Sequence, residues 1–175
     1  MILSGQEIAA ARQRGEIEIE PFCTAQLNPN SYDFCLAPKI IEISPEADQP
    51  VEIDVGPNGH LLWPGRLYLG CTAEVIGSAN YATTLLGRSS IGRLGLFLNI
   101  TADLGHCGAT SQWTLEMTVV QALRIYAGMR IGQVAFWTQL GKPTSYSGRY
   151  HRDLGPQLNR DRPLSAGLSD DSQRQ

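Results

Sequence analysis

Along most of the chain, apolar residues come in short runs separated by Gly, Pro, Asn or Asp. Lys39 to Ile43, Leu67 to Ile76, Leu96 to Thr101, Thr114 to Gln121 and Arg130 to Trp137 are such runs, and their lengths and bounding turn residues predict strands. The opening segment differs. Ser4 stands three residues before Glu7, the spacing of a capping box, and Ile8-Ala9-Ala10-Ala11 follows before Gly15. One short amino-terminal helix is therefore predicted. Pro45 to Gly59, rich in Pro, Glu and Asp around Val51-Glu52-Ile53-Asp54, reads as a loop carrying a short edge strand. With ten prolines, eighteen glycines, no internal repeat and no later amphipathic helix of convincing length, a mainly β fold of barrel or jelly-roll type is favoured over α/β.

Composition narrows this to one core. A chain of 175 residues with 42% apolar content can bury one sizeable interior, which leaves little room for a second domain. The expected domain is 1–162. From Pro163 onward the chain turns to Ser, Asp, Gln and Arg, so 163–175 is expected to be a flexible tail. A charged content of 18% is low and suggests surface buried between subunits. The net charge of −3 argues against nucleic acid as a partner but leaves room for a small local basic site. Cys23, Cys35, Cys71 and Cys107 are far apart, form no Cys-x-x-Cys pair, and read as reduced core residues. There is no signal-peptide pattern and no run near the roughly 18 apolar residues of a membrane span. The expectation is a soluble cytoplasmic protein with no membrane partner.

The densest chemistry lies in Gly87-Arg88-Ser89-Ser90-Ile91-Gly92-Arg93-Leu94-Gly95-Leu96. Arginine forks, hydroxyls and glycines that let backbone N–H groups approach closely suit an anion such as a polyphosphate. No Walker-type Gly-Lys-Ser/Thr follows, and by composition alone the run could equally be a surface turn with two solvated arginines.

In its order of residues the run resembles the phosphate motif of the dCTP deaminase branch of the dUTPase superfamily. Six further blocks stand around it in family order. Leu27-Asn28-Pro29-Asn30-Ser31-Tyr32-Asp33-Phe34-Cys35-Leu36 is similar to an early Ser-x-Asp-x-x-Leu strand, and Pro64-Gly65-Arg66-Leu67-Tyr68-Leu69 to a Pro-Gly-x-x-Tyr-Leu segment. Asn99-Ile100-Thr101-Ala102 and Trp113-Thr114-Leu115-Glu116 fit a pair of strands ending in Thr-Ala and Leu-Glu, and Ala127 to Gln133 and Tyr146 to Tyr150 complete the set. The resemblance covers about residues 1 to 160 and implies a dUTPase-like distorted barrel, assembled as a homotrimer that binds a deoxynucleoside triphosphate.

The resemblance also implies roles. Hydrolytic deamination of cytosine needs a group that takes a proton from water and returns protons to N3 and the leaving amine, and Glu116 matches the family glutamate in that role. Read on alternation alone, Glu116 is a polar strand residue. Ser89 and Arg93 match residues around the glutamate, the Ala102 carbonyl would hold the attacking water, and Arg88 and Ser90 point to the phosphates. Thr101 and Asp103 flank Ala102, as pocket residues or as strand polar positions. Tyr146, Arg149 and Asp153 fall in the carboxyl-terminal substrate block, and the superfamily tail closes over the nucleotide. Zinc deaminases carry His-x-Glu and Pro-Cys-x-x-Cys, and both are missing here, so no metal is expected on protein ligands. Mg²⁺ is expected to ride on the triphosphate.

The chain departs from the family at four places. His106, in Gly105-His106-Cys107-Gly108, stands where an aspartate is usual; it can still meet the sugar but is a poor copy of a base for attack at the α-phosphorus. Arg149 replaces a lysine, Asp153 a glutamine, and Ala109 a bulky aromatic that would otherwise crowd a 5-substituted cytosine. The expected reaction is dCTP to dUTP and ammonia, ending at dUTP. The alternatives are a dUTP diphosphatase or bifunctional enzyme, and a non-catalytic nucleotide-binding regulator, against which Glu116, Ser89 and Arg93 together argue.

Overall fold

The computed structural model describes residues 1–98, 101–148 and 152–160. Helix α1 (Gly5–Gln13) opens the chain and is followed by β1 (Ile17–Glu20), β2 (Tyr32–Cys35), β3 (Lys39–Ile43), β4 (Val51–Asp54), β5 (His60–Leu62), β6 (Leu67–Cys71), β7 (Val75–Ser78) and β8 (Tyr81–Gly87). After the single turn α2 (Ser89–Gly92) come β9 (Leu96–Leu98), β10 (Leu104–Gly105), β11 (Thr110–Ser111), β12 (Thr114–Val119), β13 (Leu123–Ile125) and β14 (Arg130–Thr138). The mainly β expectation holds.

Helix α1 starts as its sequence demands. Ser4 Oγ accepts the N–H of Glu7 at 3.2 Å, satisfying one of the free donors of the first turn. Only half of the box forms, because the Glu7 carboxylate turns to Arg14 at 2.6 Å instead of back to the cap. Gly15, at φ 74°, then turns the chain out of the helix.

The strands form a five-stranded sheet β4-β3-β6-β12-β9, a four-stranded sheet β10-β8-β14-β2, a three-stranded sheet β1-β7-β11 and the pair β13-β5. Strand β4 lies at a sheet edge, as its acidic surroundings predict. Strand β12 runs between β6 and β9, with Glu116 opposite Leu69 and Met117 opposite Leu98. Its alternation is strict: Leu115, Met117 and Val119 are buried while Thr114, Glu116 and Thr118 are half-buried. Full burial of Leu115 and Met117 stabilises this strand by about 1.5–3 kcal/mol each. Tyr32, Phe34, Tyr68 and Phe136 fill the interior between the sheets.

The run from Leu67 to Ile76, expected as one strand, is two. Thr72 Oγ1 donates to the carbonyl of Glu74 at 2.7 Å and makes a corner between β6 and β7. The corner carries a buried carboxylate inward, where Glu74 accepts from Gln26 Nε2 and from the Cys35 N–H, each at 2.9 Å.

Candidate active site

A cavity of about 580 Å³ opens on the half-buried face of β12, and Glu116 lies in its wall. Leu67, Leu69, Trp113 and Leu158 give it apolar sides suited to a flat base. Polar groups gather at one part of the wall. Thr101 Oγ1 donates to Glu116 Oε2 at 3.2 Å, and Ala102 follows directly in the same lining. Thr101 itself is exposed and does not line the cavity; it meets it through this bond to Glu116. Ala109 is buried and also lines the cavity.

His106 and Tyr146 form a stacked pair, ring centroids 5.5 Å apart and planes at 21°. Both border the Glu116 cavity and a second hollow beside Lys142, so the stack is the partition between them. Local sequence explains the approach of the two segments. Gly108 has φ 88°, and a Cβ there would stand 2.6 Å from Ser145 Oγ and 3.0 Å from the Tyr146 nitrogen. Without a side chain at 108, Tyr146 N–H reaches the Cys107 carbonyl at 2.8 Å.

Another wall comes from residues 152–160. This segment runs along β11 and β12: Arg152 N–H donates to Thr110 O and Gln112 N–H to Asp153 O, both at 3.0 Å. Gly155 N–H then reaches Gln112 Oε1 at 2.8 Å, and Gln157 N–H reaches Thr114 Oγ1 at 3.0 Å. Gln112 also donates through Nε2 to Ala73 O at 3.1 Å, so both ends of its amide are engaged. Asp153 faces this cavity with Oδ1 paired to Arg160 at 2.9 Å, while its buried Oδ2 has no hydrogen-bond partner among the described residues.

Of the residues singled out from sequence, the fold thus gathers Thr101, Ala102, His106, Glu116, Tyr146 and Asp153. It does not bring Arg88, Ser89, Ser90 or Arg93 into that lining. Those four sit on and beside α2, where Ser89, Ser90 and Arg93 are exposed. Asp103 is exposed, and its main-chain carbonyl accepts the Leu85 N–H at 2.8 Å. Arg149 lies outside the described residues, as do Tyr150, His151 and the expected tail from 163.

Sequence reading missed Gln112, Thr114 and Gln157, which hold the carboxyl-terminal wall. The polar run Thr110-Ser111-Gln112 directly before the apolar Trp113 was the available sign. Among the described residues no three His, Cys, Asp or Glu side chains are grouped to hold a metal ion, and no helix is long and apolar enough to cross a membrane.

The chain matches the family described as dCTP deaminase-like over residues 2–139 and belongs to that family. It is 42% identical over 164 residues to a "dCTP deaminase, dUMP-forming" of Leptospira biflexa, covering 90% of this chain and 94% of the relative. A protein of the same name from Hathewaya histolytica is 41% identical over 90% of this chain and 95% of its own length. A "dCTP deaminase" of Rhodopirellula baltica is 38% identical over 97% of this chain and 94% of its own length. The crystal structure of 2′-deoxycytidine 5′-triphosphate deaminase from Agrobacterium tumefaciens superposes with a TM-score of 0.65 at 22% identity, a likeness of fold; it covers 79% of this chain and 48% of the longer one.

Proposed function

We propose that the protein deaminates dCTP hydrolytically, with Glu116 moving the protons. The observation that carries it is that Glu116, bonded by Thr101, and Ala102 stand in the wall of one base-sized cavity. Water held near the Ala102 carbonyl loses a proton to Glu116 as it attacks C4, and Glu116 returns protons to N3 and to the departing amine. Thr101, donating to Oε2, holds the carboxylate in place.

The phosphate run is the other half of the site. Ser89, Ser90 and Arg93 are exposed on the same chain, and around them Leu86, Leu94, Phe97 and Val120 are exposed as well. An apolar rim around a basic, hydroxyl-rich turn suits a subunit boundary. This supports the homotrimer, in which the 88–93 run of one copy meets the Glu116 cavity of the next: Ser89 and Arg93 at the reacting centre, Arg88, Ser90 and Arg149 at a triphosphate that carries Mg²⁺. Residues 163–175 close over the nucleotide in this reading, 1–162 form the dUTPase-like barrel, and the free cysteines fit a cytoplasmic protein.

Ammonia release from dCTP tests the assignment. Glu116→Gln is expected to lower turnover by roughly 10²- to 10⁴-fold while dCTP affinity stays within a few fold. A variant that keeps a tenth of the wild-type rate would remove Glu116 from the chemistry.

The endpoint has two readings. His106 favours dUTP, because a ring stacked on Tyr146 stands where the family's aspartate would orient water for attack at the α-phosphorus. The names of the relatives at 41% and 42% identity favour a second step that releases pyrophosphate and leaves dUMP. Pyrophosphate measured beside ammonia separates them: its absence, with added dUTP persisting, fixes dUTP as product, and stoichiometric pyrophosphate fixes dUMP.

A further inference from the structure

Asp33 is 3% exposed, and a carboxylate buried that far needs partners for both oxygens. Oδ1 accepts from Asn28 Nδ2 at 2.8 Å. Oδ2 lies 3.4 Å from Arg88 and 4.0 Å from Arg130. One buried negative charge thus stands between two guanidinium groups, whose side chains are 33% and 43% exposed. Each arginine offers Asp33 one nitrogen, which leaves most of each five-donor fork available, and the trio carries a net charge of +1.

The backbone places the second arginine there deliberately. Strand β14 pairs Arg130 with Cys35 and Gly132 with Phe34, a register shift that bulges the strand between them. A bulge of this kind re-aims the side chain beside it. Gly132 makes the tight return possible, since a Cβ there would stand 2.2 Å from the Phe34 ring and 2.8 Å from Leu86 O. The bulged Ile131 carbonyl also accepts the Arg88 N–H at 3.5 Å, tying the entry of the 88–93 run to the same bulge.

We infer that Arg130 is a second phosphate-binding guanidinium, held beside Arg88 by Asp33 so that the two forks present to one triphosphate. The inference rests on the reading of Arg88 as a phosphate ligand. Arg130 was not singled out from sequence, because Met129-Arg130-Ile131 reads as an ordinary strand with a solvated charge.

The test is the affinity of dCTP, of deoxycytidine and of inorganic tripolyphosphate for wild-type protein, Arg88→Ala, Arg130→Ala and Arg130→Lys, by calorimetry on the full chain. Arg130→Ala is expected to weaken dCTP and tripolyphosphate roughly 10- to 100-fold and deoxycytidine less than twofold, with Arg130→Lys between it and wild type. Arg88→Ala behaving this way while Arg130→Ala leaves dCTP within twofold overturns the inference alone. Equal weakening of dCTP and deoxycytidine by Arg130→Ala also overturns it. If Arg88→Ala itself fails to separate the ligands, the phosphate reading of the 88–93 run falls, and this inference with it.

Discussion

An acceptor-only side chain in a cavity wall restricts what can lie against it. Asp153 borders the cavity that holds Glu116, its Oδ2 is buried with no hydrogen-bond partner among the described residues, and a carboxylate oxygen accepts hydrogen bonds. The 4-amino group of cytosine can donate to it, whereas the 4-oxo group of uracil cannot. Asp153→Asn, which adds a donor at nearly constant shape, is expected to narrow the preference for dCTP over dUTP by about tenfold. Affinities for both nucleotides, measured in the Glu116→Gln background so that dCTP persists, check this; an unchanged ratio would place Asp153 away from the base. Glu116 and Ala102 were legible as a pair through their spacing in a family pattern. The unpartnered oxygen of Asp153 was not, because it depends on where Arg160 and the 152–160 segment come to rest.

At the scale of elements, the carboxyl-terminal wall depends on one amide. Gln112 joins Gly155 N–H to Ala73 O, so it couples the segment 152–160 to the corner between β6 and β7. Gln112→Ala removes both bonds at a cost of about 0.5–1.5 kcal/mol each, and the expected result is a raised KM for dCTP with a smaller change in kcat. Steady-state ammonia release decides it, and an unchanged KM would mean that the wall stands without Gln112. The strands that could be read from sequence were those with their own boundaries. Lys39–Ile43 and Val51–Asp54 are bounded by Pro and acidic turns and were found as expected. Tyr81–Gly87 was missed, although it pairs along its whole length with β14, because Tyr-Ala-Thr-Thr-Leu-Leu-Gly lacks clean alternation and its partner lies some fifty residues away. The corner at Thr72–Glu74 was missed for the opposite reason: it lies between two apolar runs with no Pro, Asn or Asp to part them, and only the buried partners of Glu74 show why the chain turns.

For the whole molecule, burial sets how protons and thiols behave. Burial pushes the Cys71 thiol from 9.0 to about 11 and the Cys35 thiol to about 11, and raises the Tyr32 hydroxyl from 10.0 to about 12. All three are raised in the fold, so unfolded chains ionise first as pH increases. Their contribution to stability is complete below pH 9 and is lost as pH rises through 11 to 12; melting temperatures from pH 7 to 11 are expected to be level and then to fall. At pH 8, Cys23, which is exposed, is expected to react with an aromatic disulfide reagent well before buried Cys71 and Cys107. Rapid labelling of all thiols would contradict this packing.

Within a single chain the 88–93 run stands outside the lining of the Glu116 cavity. In an assembly that unites them, a working site belongs to a boundary and not to a polypeptide. A copy that has lost its glutamate still lends its arginines to a neighbour, and a copy that has lost its arginines still offers a glutamate. Two dead chains, mixed and allowed to exchange, therefore restore some sites that neither possesses alone, and ruin others by placing both injuries at the same seam.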